Sequence, residues 1–237
     1  MALRFEELDW QQTPMGDLFL RRRVEPTTGL DVYEVKLGDE YLMSSLFTEA
    51  EEQLAHLGLA PLDSPGLNVL VGGLGLGYTA VAALEHPEVG SMVVVDALPA
   101  VIDWHERGLL PVSARLTGDP RTRLVLDDFF DLVRRDPGTE RYDAILLDVD
   151  HSPRHQLNPS HADLYTPDGL RRLARHLRDD GVFALWSDDP PDAEFMAVLD
   201  QVFVTTEAHV VEFPNPLTGG TSTNSVYVAS AELPMVE

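Results

Sequence analysis

The chain has 237 residues, 44% of them hydrophobic, which is enough for one medium-sized domain with a core of its own. Its formal net charge of -23 would repel nucleic-acid phosphates and anionic membranes, but it admits a small cationic substrate. The absence of cysteine excludes disulfides, thiolate catalysis and zinc–thiolate sites. The acidic N-terminus lacks the apolar segment of a signal peptide, and no apolar run is long enough to span a bilayer, so we expect a cytoplasmic protein.

The first part of the chain differs from the rest. Strand-like alternation on both sides of Pro26 predicts a small antiparallel sheet. Thr48 and Glu51 have the spacing of a capping box, which predicts a helix beginning there. We therefore assign residues 1–60 to an N-terminal extension of strands and one helix, and residues 61–237 to a second unit.

In the second unit, strand and helix patterns alternate, which is typical of a mostly parallel α/β sheet covered on both faces. The predicted strands lie near residues 68–72, 92–96, 122–126, 142–148 and 182–187. The predicted helices lie near residues 77–85, 98–106, 128–135, 166–178 and 191–200. Two strand patterns in the tail, on either side of a loop rich in Pro, Gly, Ser and Thr, predict a C-terminal antiparallel hairpin.

A glycine-rich turn follows the first strand of this unit. It reads Gly73-Leu74-Gly75-Leu76-Gly77. Glycines let the backbone pass close to a ligand, and the helix that follows directs free N–H groups at it. The next strand ends at Asp96-Ala97, where Rossmann-like folds place a carboxylate on ribose hydroxyls. Tyr78 stands where a dinucleotide fingerprint needs glycine or alanine, which disfavours a nicotinamide dehydrogenase.

Acidic residues follow four consecutive predicted strands, at the edge where parallel sheets bind ligands. They are Asp96, Asp127 with Asp128, Asp148 with Asp150, and Asp188 with Asp189. Asp127 or Asp128 suits the exocyclic amine of an adenine, although Asp128 is equally suited to cap the next helix. Asp148 and Asp150 are the predicted catalytic pair, because paired carboxylates can hold a substrate ammonium or take its proton.

The segment 151–161 contains three of the eight histidines and is predicted to be a flexible lid. A metal site there is conceivable, but the spacing fits no standard site, and we expect no metal. His151, Trp186 and Asp188 are predicted substrate contacts. Tyr165 is expected to pack in the core.

The glycine turn, Asp96, Asp127-Asp128 and the segment YDAILLDVD, in this order, resemble the spermidine synthase (polyamine aminopropyltransferase) family. The likeness continues through ADLYTPDGLRRLARHLRDDGVFALWS and covers nearly the whole chain. It implies a class I methyltransferase fold, a homodimer, decarboxylated S-adenosylmethionine as co-substrate and a polyamine acceptor. The resemblance also implies that the turn glycines, Asp96 and Asp127 or Asp128 bind the nucleoside, and that Asp148 is the catalytic aspartate.

Three departures from the family pattern indicate a divergent branch. A motif I aspartate, which the resemblance implies as a ligand of the aminopropyl ammonium, falls on Leu76. A polyamine-contacting tyrosine falls on Ala50, and the second acid after the fourth strand is displaced to Asp150. Whether the polyamine site functions without these groups is left open by the sequence.

Three functions remain after this comparison. The first is aminopropyl transfer to a small amine, with Asp148 and Asp150 orienting and deprotonating the acceptor. The second is methyl transfer from intact S-adenosylmethionine, favoured by Leu76, because an aspartate there would repel the methionine carboxylate. The third is a non-catalytic nucleoside-binding protein. The acceptor is not identified by the sequence.

Overall fold

A computed structural model describes residues 5–13 and 16–231. Its N-terminal part is a four-stranded antiparallel sheet in the order β1-β2-β3-β4. The strands are β1 Phe5–Thr13, β2 Gly16–Val24, β3 Asp31–Leu37 and β4 Glu40–Ser44. The predicted small sheet is therefore present, and β1 is an additional strand. The sequence of β1 does not alternate cleanly, so its conformation follows from pairing with β2 and from a bond between Asp9 and the Trp104 indole, 2.7 Å long.

The larger sheet has seven strands in the order β10-β11-β9-β8-β5-β6-β7. They are β5 Leu67–Gly72, β6 Val89–Asp96, β7 Thr122–Leu126, β8 Tyr142–Leu147, β9 Leu177–Ser187, β10 Thr205–Asn215 and β11 Gly220–Ser230. The first five run parallel, and β11 is antiparallel to both β9 and β10. The predicted class I methyltransferase fold with a C-terminal antiparallel hairpin is confirmed.

The strand order places the site. After β5 the chain continues to β6 on one side, and it later returns through β8 on the other side. This is the reversal of strand order at which open α/β sheets bind ligands. The loops that follow β5, β6 and β8 therefore meet at one edge of the sheet.

Within residues 5–13 and 16–231, seven α-helices flank the two sheets. They are α1 Glu49–Leu59, α2 Tyr78–Leu84, α3 Pro99–Glu106, α4 Ser113–Gly118, α5 Phe129–Arg134, α6 Pro167–Ala174 and α7 Ala193–Leu199. The short α4 was not predicted. α6 ends earlier than predicted because β9 already begins at Leu177, which pairs with Tyr142 of β8. None of the helices in the described residues has the length and apolarity that crossing a membrane requires.

Helix α1 packs on the larger sheet. Leu54 and Ala55 are buried in the same core as the strands β5 and β8, and this core also includes Leu18 and Leu20 of β2. Gly58 lies so close to β8 that an added Cβ would stand 2.6 Å from the Leu146 side chain. The two parts of the chain thus share a core, and the division at residue 60 stays a prediction.

The start of α1 differs from the prediction. Thr48 precedes the helix, but its side chain makes no capping hydrogen bond. Its hydroxyl donates instead to Glu52 (2.9 Å), and its backbone N–H donates to Glu49 (3.0 Å). The helix is confirmed and the Thr48–Glu51 capping box is wrong, because Glu49 takes the N–H that Glu51 was expected to bind. Glu51 is left available for another role.

Candidate functional site

The glycine turn between β5 and α2 needs its glycines for steric reasons. Gly73, Gly75 and Gly77 have φ values of 92°, 47° and 92°, in the region that favours glycine. A Cβ on Gly73 would lie 2.0 Å from the Asp148 carbonyl oxygen, and one on Gly77 would lie 2.8 Å from the His105 ring. The turn therefore packs directly against the end of β8 and against α3.

Asp96 at the end of β6 organises this turn. Its carboxylate accepts backbone N–H bonds from Leu74 (3.0 Å), Gly75 (3.4 Å) and Leu98 (2.8 Å). Burial raises the pKa of Asp96, and the three N–H donors oppose that rise. A carboxylate has about four lone-pair sites, so one acceptor position on Oδ1 remains for a ligand hydroxyl. Ala97, the next residue, is exposed beside it.

A histidine that sequence reasoning missed holds the other side of the turn. His105 of α3 is 0% exposed, and its Nε2 lies 3.0 Å from the Gly75 carbonyl oxygen. Its Nδ1 lies 3.4 Å from the Ser113 hydroxyl, so the neutral ring donates to Gly75 and accepts from Ser113. Burial lowers the pKa of His105, which keeps the ring neutral. No motif surrounds this residue, and only the packing of α3 on the turn identifies it.

The two acids after β7 have different environments. The Asp128 carboxylate accepts the N–H groups of Phe130 (2.8 Å) and Asp131 (3.1 Å), which confirms the alternative reading of Asp128 as the N-cap of α5. Asp127 pairs with Arg135 and accepts the N–H of Asp128. Asp127 thereby remains the better candidate for contact with an adenine.

Asp148 follows β8 next to the glycine turn. Its backbone N–H donates to Gly72 of β5 (2.8 Å), and its carboxylate accepts from the Thr79 hydroxyl of α2 (2.7 Å). Burial raises the pKa of Asp148 to about 6, and the Thr79 bond opposes the rise. A carboxyl group with a pKa near neutrality is suited to holding or moving a proton.

Glu51 of α1 is the acidic neighbour of Asp148, and sequence reasoning assigned it to a helix cap. Burial, together with the negative charge of Asp148, raises the pKa of Glu51 to about 8. Among the described residues, no lysine or arginine forms an ion pair with either side chain. The pair therefore ionises in two steps, and the second ionisation takes place against the negative charge of the first.

Asp150 occupies a different environment from Asp148. It is 1% exposed, and its carboxylate accepts from the Leu157 N–H (2.8 Å), His161 (2.8 Å) and the Tyr165 hydroxyl (2.7 Å). The His161 ring in turn stacks on Phe130, 3.6 Å between centroids. This geometry ties down the loop after β8. It argues against the predicted catalytic role of Asp150, because the bonded, buried carboxylate cannot reach a substrate.

The rest of this loop borders an open cavity of about 640 Å³. Glu40, His151 and Asp188 contribute to its wall, and His151 lies 3.5 Å from Glu40. The N–H of Asp188 donates to the His151 carbonyl oxygen (2.7 Å). The loop is thus bonded at both ends, and its predicted motion as a lid stays a prediction. Among the described residues, no three His, Asp or Glu side chains are grouped to hold a metal ion.

The two aromatic candidates differ in their surroundings. Tyr165 is buried and packs edge-to-face against Phe195, as expected of a core residue. Trp186 of β9 is half-buried against the core. Its indole N–H is buried and has no hydrogen-bond partner in the part of the chain that the structure describes. Trp186 is not among the residues that line the cavity.

The structure thus brings the glycine turn, Asp96, Asp148 and Glu51 together at one sheet edge. His151 and Asp188 line the cavity beside the loop after β8, while Asp150 holds that loop in place through its hydrogen bonds. Leu76 is 6% exposed and packs in the core, so its side chain does not extend into this site.

Comparison with known proteins matches the part of the chain that carries this site. The family model described as the spermine/spermidine synthase domain matches residues 48–208. The polyamine aminopropyltransferase of Pyrobaculum neutrophilum is 29% identical over 151 residues, which cover 61% of this chain and 49% of that protein. Putrescine N-methyltransferase 2 of Nicotiana attenuata is 30% identical over 131 residues, 55% of this chain and 33% of the relative.

The chain spans about half or less of the length of these curated relatives. Among solved structures, spermidine synthase from Thermotoga maritima aligns with a TM-score of 0.73 at 21% identity. The alignment covers 95% of this chain and 73% of that one. At this level of identity, the likeness concerns the fold.

Proposed function

Because the chain belongs to the spermine/spermidine synthase family, we propose that it is a transferase that binds decarboxylated S-adenosylmethionine and moves its aminopropyl group to a small amine. The observation that carries this proposal is Asp148. Its backbone lies against Gly73 of the glycine turn, and its half-buried carboxylate has a raised pKa. The relatives that match are enzymes acting on polyamines, as their names state.

The residues present fit a sulfonium nucleoside. The remaining lone pair of Asp96 is available for a ribose hydroxyl, and the exposed Ala97 beside it offers an apolar surface for a base. In this proposal Asp127, which now pairs with Arg135, would exchange that partner for the adenine amine. The net charge of -23 favours a cationic ligand over an anionic one.

In the proposed reaction, the acceptor nitrogen forms a bond to the carbon next to the sulfonium, and the carbon–sulfur bond breaks with its electrons left on sulfur. The acceptor must first lose a proton, because an ammonium has no free electron pair. Asp148 is the group that orients this amine and takes up its proton. Since the sulfonium is already a good leaving group, the remaining contribution of the protein is positioning and electrostatics.

We place the acceptor in the cavity of about 640 Å³ beside the loop after β8. His151, Glu40 and Asp188 contribute to its wall, and the two carboxylates would bind a second ammonium of a diamine. Arg154 lines the same cavity, and its charge is paired with Asp192 and Glu194. Neither Ala50 nor Leu76 lines this cavity. Binding the acceptor there would therefore not need the tyrosine and the aspartate that the family pattern has at these two positions. A homodimer stays a prediction.

A methyltransferase using intact S-adenosylmethionine is the second candidate. It is favoured by the 30% identity to a putrescine N-methyltransferase and by the uncharged Leu76. The same glycine turn and Asp96 would hold the nucleoside. The two candidates differ in whether the site accepts an α-carboxylate.

Calorimetric titration with S-adenosylmethionine and, separately, its decarboxylated form tests the proposal. We expect the decarboxylated form to bind at least about tenfold more tightly, since a hydrogen-bonded charge pair is worth that factor or more. Tighter binding of the intact form would favour methyl transfer. Binding of neither would favour a protein without this activity.

A further inference from the structure

We propose that Glu51 and Asp148 together bind the primary ammonium of the co-substrate, and that Glu51 makes the site selective for the decarboxylated nucleoside. The inference rests on the proposed function and adds a specificity residue to it. The sequence resemblance implies an aspartate at position 76 for the ammonium, whereas Glu51 comes from a different element, the first turn of α1.

The position of Glu51 follows from helical spacing. Residues three, four and seven positions apart share a helix face, so Glu51 lies on the face that carries Leu54, Ala55 and Gly58. Those three residues are buried against the larger sheet, and Gly58 faces Leu146 of β8. Glu51 lies about 10 Å N-terminal of Gly58 along the helix. It is thereby directed at the end of β8, where Asp148 stands two residues after Leu146.

The start of α1 does not depend on the side chain of Glu51. The hydroxyl of Thr48 bonds to Glu52 and its N–H to Glu49, so the helix start is served by the neighbours of Glu51. No hydrogen bond to another side chain accounts for Glu51 among the described residues, whereas Asp150 has three partners. Glu51 is half-buried, and its carboxylate accepts a hydrogen bond from its own backbone N–H. A partly buried carboxyl group beside a second one, with a raised pKa, is characteristic of ligand sites.

The charges around Glu51 and Asp148 favour a cationic ligand. Glu51 is surrounded by Glu49 and Glu52 on its own helix and by Asp148 after β8. The phenol of Tyr78 on α2, with its pKa raised by burial, is the other titratable neighbour. An ammonium at this position would replace the proton that the pair holds at neutral pH. An α-carboxylate would instead add a negative charge to an already acidic site.

The test is the substitution Glu51→Gln, with Glu52→Gln as matched control, since it removes the same charge from the same helical turn. The ligands are decarboxylated S-adenosylmethionine, the intact form and 5′-methylthioadenosine, which lacks the aminopropyl group. We expect Glu51→Gln to weaken binding of the decarboxylated form by about tenfold or more and to leave the thioether within about twofold. The preference over the intact form should shrink by a similar factor.

A second readout separates a binding role from a structural one. Titrations of the wild-type protein in buffers of different ionisation enthalpy should reveal a proton released when the decarboxylated form binds, and Glu51→Gln should lose that release. Equal weakening of all three ligands, or the same loss in Glu52→Gln, would overturn the inference. If the wild-type protein prefers the intact form or binds neither, the proposed function fails as well. If it prefers the decarboxylated form and Glu51→Gln retains that preference, only the inference fails.

Discussion

The two sides of the sheet edge differ in how their polar groups are satisfied. On the β6 side, Asp96 accepts three backbone N–H groups and His105 binds the Gly75 carbonyl oxygen, so the turn is complete without a ligand. On the β8 side, Asp148 and Glu51 are acidic neighbours with raised pKa values, and no lysine or arginine among the described residues pairs with either of them. The first side is preorganised to receive a nucleoside. The second holds a proton at neutral pH, in a place that a cationic ligand would occupy.

The largest effect is expected at Asp148. We predict that Asp148→Asn lowers the turnover of aminopropyl transfer by about 10²–10⁴-fold, the usual contribution of a positioned proton acceptor. Binding of 5′-methylthioadenosine should stay within about twofold, because the thioether has no amine for this carboxylate. Steady-state kinetics and calorimetry on the same preparation check both parts, and retained turnover would remove Asp148 from the reaction.

Asp150→Asn is the matched control for that experiment. It alters the other aspartate after β8, whose bonds to His161, Tyr165 and Leu157 hold the loop. We expect a loss of about 1–3 kcal/mol in the free energy of unfolding, the cost of a disrupted buried network, with turnover per folded molecule largely kept. A loss of turnover in a fully folded Asp150→Asn protein would restore Asp150 as a catalytic candidate.

The nucleoside side is tested sterically by Gly73→Ala. The new Cβ would meet the Asp148 carbonyl oxygen at 2.0 Å, so β5 and β8 must separate at the site. We expect a destabilisation of about 3 kcal/mol and loss of nucleoside binding, measured by chemical denaturation and calorimetry. Gly138→Ala is the control: its φ is also positive (61°), but nothing lies within 4 Å. That change should cost only about 1 kcal/mol. Equal costs would show that the contact with Asp148 is unimportant.

Asp96→Ala should weaken nucleoside binding by about 1–3 kcal/mol, the cost of leaving buried hydrogen-bonding groups without a partner. Part of this loss comes from the turn, because Leu74 and Gly75 lose their acceptor. The ribose contribution is isolated by repeating the titration with a 2′-deoxy nucleoside. If the variant still distinguishes the deoxy ligand as the wild type does, or if its affinity is unchanged, Asp96 does not bind the ribose.

The smallest effect is on the pH dependence of stability. The pKa of Glu51 is raised in the folded protein from its ordinary 4.5 to about 8, so the native state binds more protons than the unfolded chain between these values. Stability should therefore fall as pH rises through this window. Glu51→Gln removes that loss, and it should be more stable than the wild type by about 1 kcal/mol or more above pH 8. Thermal denaturation against pH checks this. A lower stability of the variant at high pH would indicate a structural role for Glu51.

Sequence predictions were accurate where a structure depends on neighbouring residues, and they failed where it depends on distant ones. Apolar runs predicted the five parallel strands, and two strand patterns in the tail predicted the hairpin. These patterns are visible in the sequence because the apolar side chains of each strand are the ones that become buried. The short α4 and the polar β1 escaped prediction because their conformations depend on neighbours distant in sequence. Asp128 was recognised as a possible cap because it caps the helix that follows it directly. His105 was not recognised because its partner, Gly75, is 30 residues away in the sequence.

The sequence by itself determined the α/β alternation, the position of the glycine turn and the acids that follow the strands. The turn needs glycine because its backbone has positive φ angles. Only the tertiary structure decided which acids act together. Asp148 and Asp150 are two residues apart, yet one contacts the glycine turn and the other is buried in the loop network. Glu51 and Asp148 are far apart in sequence and become neighbours because α1 packs across β8. Local pattern specifies backbone conformation, whereas the environment that sets the charge of a carboxyl group is built by distant segments.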